Sequence, residues 1–255
     1  MLTSSLLPSR SNLCRQFPYR LRFLFACLSL GLLLPAGTAW AGFIPPENLG
    51  RPGNREGAAT RSECKTDRKL PLTALVPLSN IGLTTDAYPT FYWYFPTDNT
   101  FKYWQFKLYR VDRGGSVEET PLYQSAKQPF NGEVGLDSFS LPQSQGTGLD
   151  TDRDYRWEIS LLCNPDEPDA VVFADGWIRR VTPAPALATA LATAQPFERY
   201  DIYAKAGLWY DALKSLMDLR QQQPNNPTLN SEWMELLQSQ AVQLDALANQ
   251  RLSQK

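Results

Sequence analysis

Two long stretches constrain what this chain can fold into more than any other feature. In the first, Arg153 to Cys163, apolar side chains occupy every second position, and the second, Val171 to Val181, returns after a polar turn. Alternation with a period of two is typical of β-strands that bury one face. The two stretches therefore predict an antiparallel hairpin at the centre of a sheet.

Shorter β-prone segments precede this hairpin and bring the count to about seven strands between Leu72 and Val181. Strands rich in aromatic and β-branched residues, in a span of about one hundred residues, are what a β-sandwich requires. The predicted strands are Leu72–Val76, Thr90–Phe95, Lys102–Val111, Leu122–Gln124 and Val134–Leu141. In the third strand, one face carries Trp104, Phe106 and Leu108, and the other carries Tyr103, Gln105, Lys107 and Tyr109.

A tyrosine at the start of the hairpin gives a more specific indication. Leu149 precedes Tyr155 by six residues. That is the spacing of a tyrosine corner, in which the hydroxyl bonds to upstream backbone. In this corner and in its strand pattern, the chain resembles fibronectin type III and immunoglobulin-like domains. The resemblance implies an antiparallel immunoglobulin/fibronectin-like β-sandwich over residues 70–182, and it implies no function.

The composition changes at Thr182, after which helical patterns replace strands. The predicted helices are Ala184–Ala194, Pro196–Ala204, Trp209–Gln222 and a last one that runs from an N-cap at Ser231 to Ala248. Gly207–Leu213, with Leu216 and Pro224–Asn226, resembles the second half of a tetratricopeptide repeat. One and a half such units do not make a stable array. We therefore expect an α+β chain in sequence-segregated parts, with residues 183–255 forming a helical cap on the sandwich.

The first 41 residues have the layout of a secretory signal peptide. Four arginines and no acids precede an apolar run from Phe23 to Leu34, and Ala39–Ala41 offers a small-residue cleavage site. The apolar run is shorter than the roughly 18 residues of a membrane span. We expect cleavage after Ala41, no stable membrane span afterwards, and a periplasmic or secreted protein. Residues 42–69, rich in Pro, Gly and charge, are predicted to form a flexible arm.

The chain contains no histidine, and this absence excludes several kinds of site. Catalytic triads that use histidine and histidine-ligated metals cannot form. Without its first 41 residues the chain has 21 basic and 26 acidic side chains, so its net charge of −5 argues against a nucleic-acid partner. Cys64 and Cys163 would then be the only thiols, and a disulfide between them is the simplest expectation in an oxidising compartment, with a two-cysteine metal site as the alternative.

Six segments together resemble the cyanobacterial family catalogued as domain of unknown function 928. The segments are Gly50–Cys64, Leu72–Pro77, Pro89–Trp93, Cys163–Pro165, Gly176–Ile178 and Gly207–Asp211. The resemblance implies an exported protein of a photosynthetic bacterium. It supplies no activity, cofactor or catalytic residue.

Acidic residues give two further hypotheses. Asp150–Asp154 and Asn164–Asp169 are polar turns whose oxygens suit weak calcium binding, but neither has the spacing of an EF-hand loop. Glu158 and Asp175 lie on neighbouring strands and are the candidate pair for a glycosidase, which needs two carboxyl groups roughly 5 to 9.5 Å apart. We expect polar turns and surface charge in both cases, hence no metal, no cofactor and no enzyme. A carboxylate-based hydrolase is an alternative.

Aromatic residues are the best candidates for ligand or partner contacts. Tyr92 and Tyr94, and likewise Tyr103 and Tyr109, lie opposite the predicted core side of their strands, while Trp209 and Tyr210 begin a helix. Exposed rings of this kind suit sugars or a protein partner, although the C-terminal helices could instead cover them. The predicted function is an exported non-catalytic binding or scaffolding module for an unknown envelope protein or glycan. An adaptor that docks through the helices is another alternative.

Overall fold

The change of periodicity along the chain separates a β-rich part from a helical part. The structure is a computed structural model that describes residues 42–59, 69–97, 100–130, 134–146, 148–163 and 171–251. Its strands are β1 (Ala58–Ala59), β2 (Thr73–Ala74), β3 (Ile81–Thr84), β4 (Thr90–Phe95), β5 (Tyr103–Arg110), β6 (Tyr123–Gln124), β7 (Gln128–Pro129), β8 (Gly135–Ser140), β9 (Asp154–Leu162) and β10 (Val171–Arg180). Its α-helices are α1 (Pro185–Thr193), α2 (Pro196–Lys205), α3 (Trp209–Gln222) and α4 (Pro227–Gln238).

The predicted central hairpin is confirmed. β9 and β10 pair antiparallel from Val171 opposite Leu162 to Arg179 opposite Asp154, and β9 also pairs with β5 along its other edge. The alternating apolar side chains of β9 are fully buried, as the period of two predicts. These side chains are Tyr155, Trp157, Ile159 and Leu161.

The strands form two sheets. The larger has the order β1-β10-β9-β5-β6, with β7 also paired to β5, and the smaller has the order β2-β4-β8. β3 joins the larger sheet by pairing parallel with β10, so that sheet is mixed. The immunoglobulin-like antiparallel sandwich is therefore not confirmed, whereas the α+β class is. The sequence reading missed β3 because it has only four residues, and one of them is Gly82.

Aromatic side chains fill the space between the two sheets. Phe91 of β4 packs against Phe106 of β5 with ring centroids 4.8 Å apart, and Trp93 packs against Trp104 at 5.6 Å. Phe91 also contacts Trp157 of β9 at 5.3 Å. Burying several rings of this size contributes strongly to the stability of the fold. The core thus lies where β4 faces β5 and β9.

The helices cover the remaining edge and face of this core. α2 and α3 form an antiparallel pair, and α3 packs on β3 and β4. The Trp209 indole donates to the backbone carbonyl of Leu75 at 2.9 Å, and the Tyr210 hydroxyl donates to the carbonyl of Trp177 at 3.0 Å. A side chain at Gly82 would lie 2.8 Å from Trp209 Cβ. Glycine at position 82 is therefore what allows α3 to approach the sheet.

The predicted tyrosine corner is present. The hydroxyl of Tyr155 accepts a hydrogen bond from the backbone N–H of Asp150 at 2.9 Å, and Leu149 is buried beside it. Such a bond fixes the polar turn before β9 to the start of that strand. The spacing in the sequence was sufficient to predict this contact.

Residues 42–59, part of the arm predicted to be flexible, make contacts with the rest of the fold. Phe43 is buried edge-to-face on Trp209 at 5.1 Å, and the N–H of Ile44 donates to the carbonyl of Ala204 at 3.1 Å. Further along, β1 pairs with β10. The described residues all belong to one compact unit, Trp40–Lys255. Tertiary hydrogen bonds hold this segment despite its composition of Pro, Gly and charge.

The last helix differs from its prediction at both ends. α4 begins at Pro227, and the side chain of Asn226 caps it by accepting from the N–H of Thr228 at 3.0 Å. It ends at Gln238, after which a turn and a 3₁₀ turn, Asp245–Leu247, carry the chain onward. The apolar stripe predicted to extend to Ala248 is still buried. The apolar pattern in the sequence indicates which side chains are buried, but it does not show where the backbone stops being helical.

Candidate functional site

The six aromatic residues predicted to contact a ligand have different environments. Tyr92 and Tyr94 of β4 are buried, and so are Trp209 and Tyr210 of α3. Their burial removes them from the surface that a ligand could reach, because the helical part covers β4 and α3 faces the sheets. Tyr103 and Tyr109 are half-buried. They lie on the outward side of β5, away from the aromatic core.

This outward side of the larger sheet, here called the outer face, collects polar side chains from three neighbouring strands. Register places Lys107 of β5 opposite Glu158 of β9, and Tyr109 opposite Arg156. The outer face consists of Tyr103, Gln105, Lys107 and Tyr109 from β5, Arg156, Glu158 and Ser160 from β9, and Asp175, Trp177 and Arg179 from β10. Burial, with the nearby Glu158 carboxylate, raises the pKa of the Tyr109 hydroxyl. That hydroxyl is therefore a neutral hydrogen-bond donor at physiological pH.

Asp175 is the most heavily bonded group of the outer face. Its Oδ2 accepts from Arg156 Nε at 2.9 Å, and its Oδ1 accepts from the backbone N–H of Asn54 at 2.8 Å. Asn80 donates to the same Oδ1 at 3.5 Å. A buried carboxylate surrounded by donors is held in place, and its loss would leave those donors without a partner.

The predicted carboxylate pair is brought together, since Glu158 lies directly opposite Asp175. Arg156 binds Asp175 and also approaches Glu158 at 3.7 Å. Glu158 additionally accepts from the Ser160 hydroxyl at 2.7 Å. Glycoside hydrolysis needs one carboxyl that gives up a proton to the leaving group. Here both carboxylates are engaged by neighbouring donors, so the arrangement ties β9 to β10.

A polar cleft of about 560 Å³ opens at one end of the outer face. At its base, Asp154 binds both Arg51 and Arg179, the latter at 2.5 Å. Burial acts to raise the pKa of Asp154, but the hydrogen bonds and charges of the two arginines outweigh it and hold that pKa below its usual value. The sequence reading missed this cluster, since Arg51 is 103 residues away along the chain.

Among the described residues, the two predicted calcium turns do not form ion sites. Asp154 is occupied by its two arginines, and Asp150 pairs with Arg153 at 3.4 Å. The second turn, Asn164–Asp169, lies outside the described residues, and Asp175 nearby is bound to Arg156. Among the described residues no three His, Cys, Asp or Glu side chains come together as a possible metal site.

The predicted disulfide cannot be followed, because Cys64 lies outside the described residues. Cys163 follows the last residue of β9 and is half-buried, with its Sγ 3.8 Å from the Thr100 hydroxyl. The pairing of Cys64 with Cys163 stays a prediction.

The fold and these sites define an α+β protein with two packed sheets and a helical cover, whose described residues show no metal cluster. None of its described helices combines the length and apolarity that crossing a membrane requires. The chain belongs to the family described as Domain of Unknown Function (DUF928), whose model matches residues 56–252. Comparison with curated proteins gave no match, and comparison with solved structures gave none.

Proposed function

We propose that this protein is an exported, non-catalytic binding module, and that its ligand is a glycan of the cell envelope held by the outer face. The observation that carries the proposal is the position of Tyr103 and Tyr109. They are the two predicted contact residues that the helices leave partly exposed. Tyrosine rings offer an apolar surface for a sugar ring together with a hydroxyl for hydrogen bonding.

The spacing of the two tyrosines suits an extended ligand. Six residues of a β-strand cover about 20 Å, so the rings at either end of β5 could contact separate sugar units of one chain. Lys107 lies between them on the same side of the strand and carries hydrogen-bond donors. The engaged carboxylates of Glu158 and Asp175 support binding without hydrolysis.

Binding to purified envelope polysaccharide tests this proposal. Replacing both tyrosines, Tyr103→Ala with Tyr109→Ala, is expected to weaken binding about tenfold, since each stacked ring contributes about 0.5–1.5 kcal/mol. The control is Leu78→Ala, which removes an exposed apolar side chain elsewhere. If the protein retains an envelope protein and no polysaccharide, its ligand is a protein partner and not a glycan. Unchanged binding by the double variant would show that the outer face does not hold the ligand.

Export and the disulfide belong to the same proposal. β1 brings Ala59 opposite Val172, at the end of the hairpin where Cys163 lies. The five residues from Ala59 to Cys64 span up to about 16 Å, which supports a bond between Cys64 and Cys163. Mass spectrometry of the mature protein should find Gly42 as the first residue and both cysteines oxidised. Free thiols under non-reducing alkylation would contradict the disulfide.

The finer relationships of the fold are proposals as well. The tyrosine corner and the face-to-face sheets support a distant relation to immunoglobulin-like sandwiches, from which β3 is a departure. The antiparallel α2–α3 pair supports a relation to tetratricopeptide units. An adaptor function through Trp209 and Tyr210 has no such support, because both side chains are buried in the interior.

A further inference from the structure

A second cleft, in the helical part of the protein, has a different chemistry from that of the outer face. It encloses about 770 Å³ between the end of α3, the start of α4 and the segment after the 3₁₀ turn. Its lining includes two arginines, Arg220 and Arg251, and no carboxylate. The other polar residues that line it are the amides Gln221, Asn225, Asn230, Asn249 and Gln250.

Arg220 is fixed in this helical cleft without an acidic partner. Its guanidinium lies over the ring of Trp233, 4.5 Å from the centroid. No carboxylate of the described residues forms an ion pair with it, and its buried Nε has no hydrogen-bond acceptor there. Burial also lowers the pKa of Arg220. A partly desolvated guanidinium with unused donors is unfavourable unless an acceptor arrives.

The backbone that carries Arg251 is also held in place. The carbonyl of Arg251 accepts a hydrogen bond from the N–H of Leu136 in β8 at 3.0 Å. On the opposite wall, the start of α4 is fixed by the Asn226 cap. Two cations are therefore presented to one cleft by elements that the rest of the fold positions. Such preorganisation lowers the entropy lost when a ligand binds.

We infer that the helical cleft binds a small polar ligand that carries an oxyanion, of the chemical class of sugar acids and sugar phosphates. The planar guanidinium of Arg220, stacked on Trp233, presents paired N–H groups that match a carboxylate or a phosphate. The five amides supply donors and acceptors for hydroxyl groups. A volume of about 770 Å³ is within the usual range for small-ligand sites.

Titration calorimetry of the full mature chain tests this inference with three probes: glucuronate, glucose 6-phosphate and neutral glucose. Binding of one or both anions, weakened by added salt, is expected, whereas glucose should give no heat. A preference between the two anions would identify carboxylate or phosphate as the recognised group. Equal binding of glucose, or no heat with any probe, would overturn the inference.

Variants locate the site. Arg220→Gln is expected to weaken anion binding about tenfold or more, and Arg220→Lys to restore only part of it, because lysine keeps the charge without the fork of donors. Should Arg220→Gln fail to fold, Arg251→Gln tests the same site at an exposed position, with a loss of several-fold expected. The matched control is Arg113→Gln, on the other cleft, which should bind like the original chain. Equal binding by the Arg220 and Arg113 variants would contradict the site.

Discussion

The outer face and the helical cleft both contain arginines, but only those of the outer face are matched by acids. Arg156 binds Asp175, and Arg179 shares Asp154 with Arg51 of the adjoining polar cleft. In the helical cleft, Arg220 has an aromatic ring beneath it and no carboxylate among the described residues. A paired arginine holds strands together, and the donors that face its carboxylate are not available to a ligand. An unpaired one that the fold nevertheless holds in place is available to a ligand.

The helical part also contains the opposite case, an acid that forms no ion pair with any described residue. Glu232 of α4 is buried, and burial followed by the charges of Glu235 and Asp201 raises its pKa to about 7. The contrast between the paired arginines of the outer face and these two unpaired groups, Arg220 and Glu232, can therefore be tested with a charge of either sign.

The largest effect is expected on the outer face, from Asp175→Ala. The carboxylate of Asp175 is 2% exposed, and its removal leaves the N–H of Asn54 without its acceptor and Arg156 with only the more distant Glu158. Breaking such a pair should lower the free energy of unfolding by about 3 kcal/mol, measured by urea denaturation. The control is Asp150→Ala, in a pair whose carboxylate is 59% exposed, for which a loss of about 0.5 kcal/mol is expected. Equal losses would mean that burial of the pair is unimportant.

A smaller, pH-dependent effect is expected from Glu232→Gln. Because the pKa of Glu232 is raised in the folded state, stability is complete below the unfolded value of 4.5 and is lost as pH rises towards about 7. Glutamine cannot ionise, so the variant should be more stable than the original at pH 8, by about 1.5 kcal/mol after solvent screening, and nearly equal at pH 4. Thermal unfolding at both pH values measures this. The control, Glu118→Gln at an exposed position, should leave stability unchanged at both pH values. If Glu232→Gln raises stability equally at both pH values, the titration of Glu232 is not the cause.

The smallest effect is expected from Arg220→Met. Removing this cation loses its stacking on Trp233, about 0.5–1 kcal/mol, but it also relieves an unsatisfied buried group, and methionine retains much of the apolar length. The net change in unfolding free energy should lie within about 1 kcal/mol. Arg156→Met, which leaves the buried Asp175 unpaired, should cost about 3 kcal/mol. If the two variants lose similar amounts of unfolding free energy, the arginines of the outer face and of the helical cleft do not differ in the way proposed.

Local patterns predicted the elements whose signals are local. The β9–β10 hairpin, β4, β5, the corner at Tyr155 and helices α1 to α3 all follow from alternation, spacing or punctuation within a few residues. β3 was missed because its partner is nearly one hundred residues away and a glycine interrupts its pattern. The predicted N-cap of α4, Ser231, lies five residues after the observed one, Asn226, because Pro224–Pro227 also has the pattern of a helix stop.

Site residues were harder to predict, since their roles depend on what covers them. The alternation of β4 identified two faces but could not show that the helices bury Tyr92 and Tyr94. The bonds from Arg51 to Asp154 and from Asn54 to Asp175 join segments more than one hundred residues apart. Arg220 is one of many charged residues on an amphipathic helix, and only its contact with Trp233 distinguishes it.

The hydroxyl of Tyr210 has a consequence for how the molecule opens. It accepts from the Trp157 indole at 2.6 Å while donating to the carbonyl of Trp177, so one oxygen links α3 to both arms of the hairpin. Neither α3 nor the hairpin can separate from the other without leaving polar atoms unsatisfied in the interior. Backbone amides of α3 and β9 should therefore exchange with deuterium together, as a single cooperative unit.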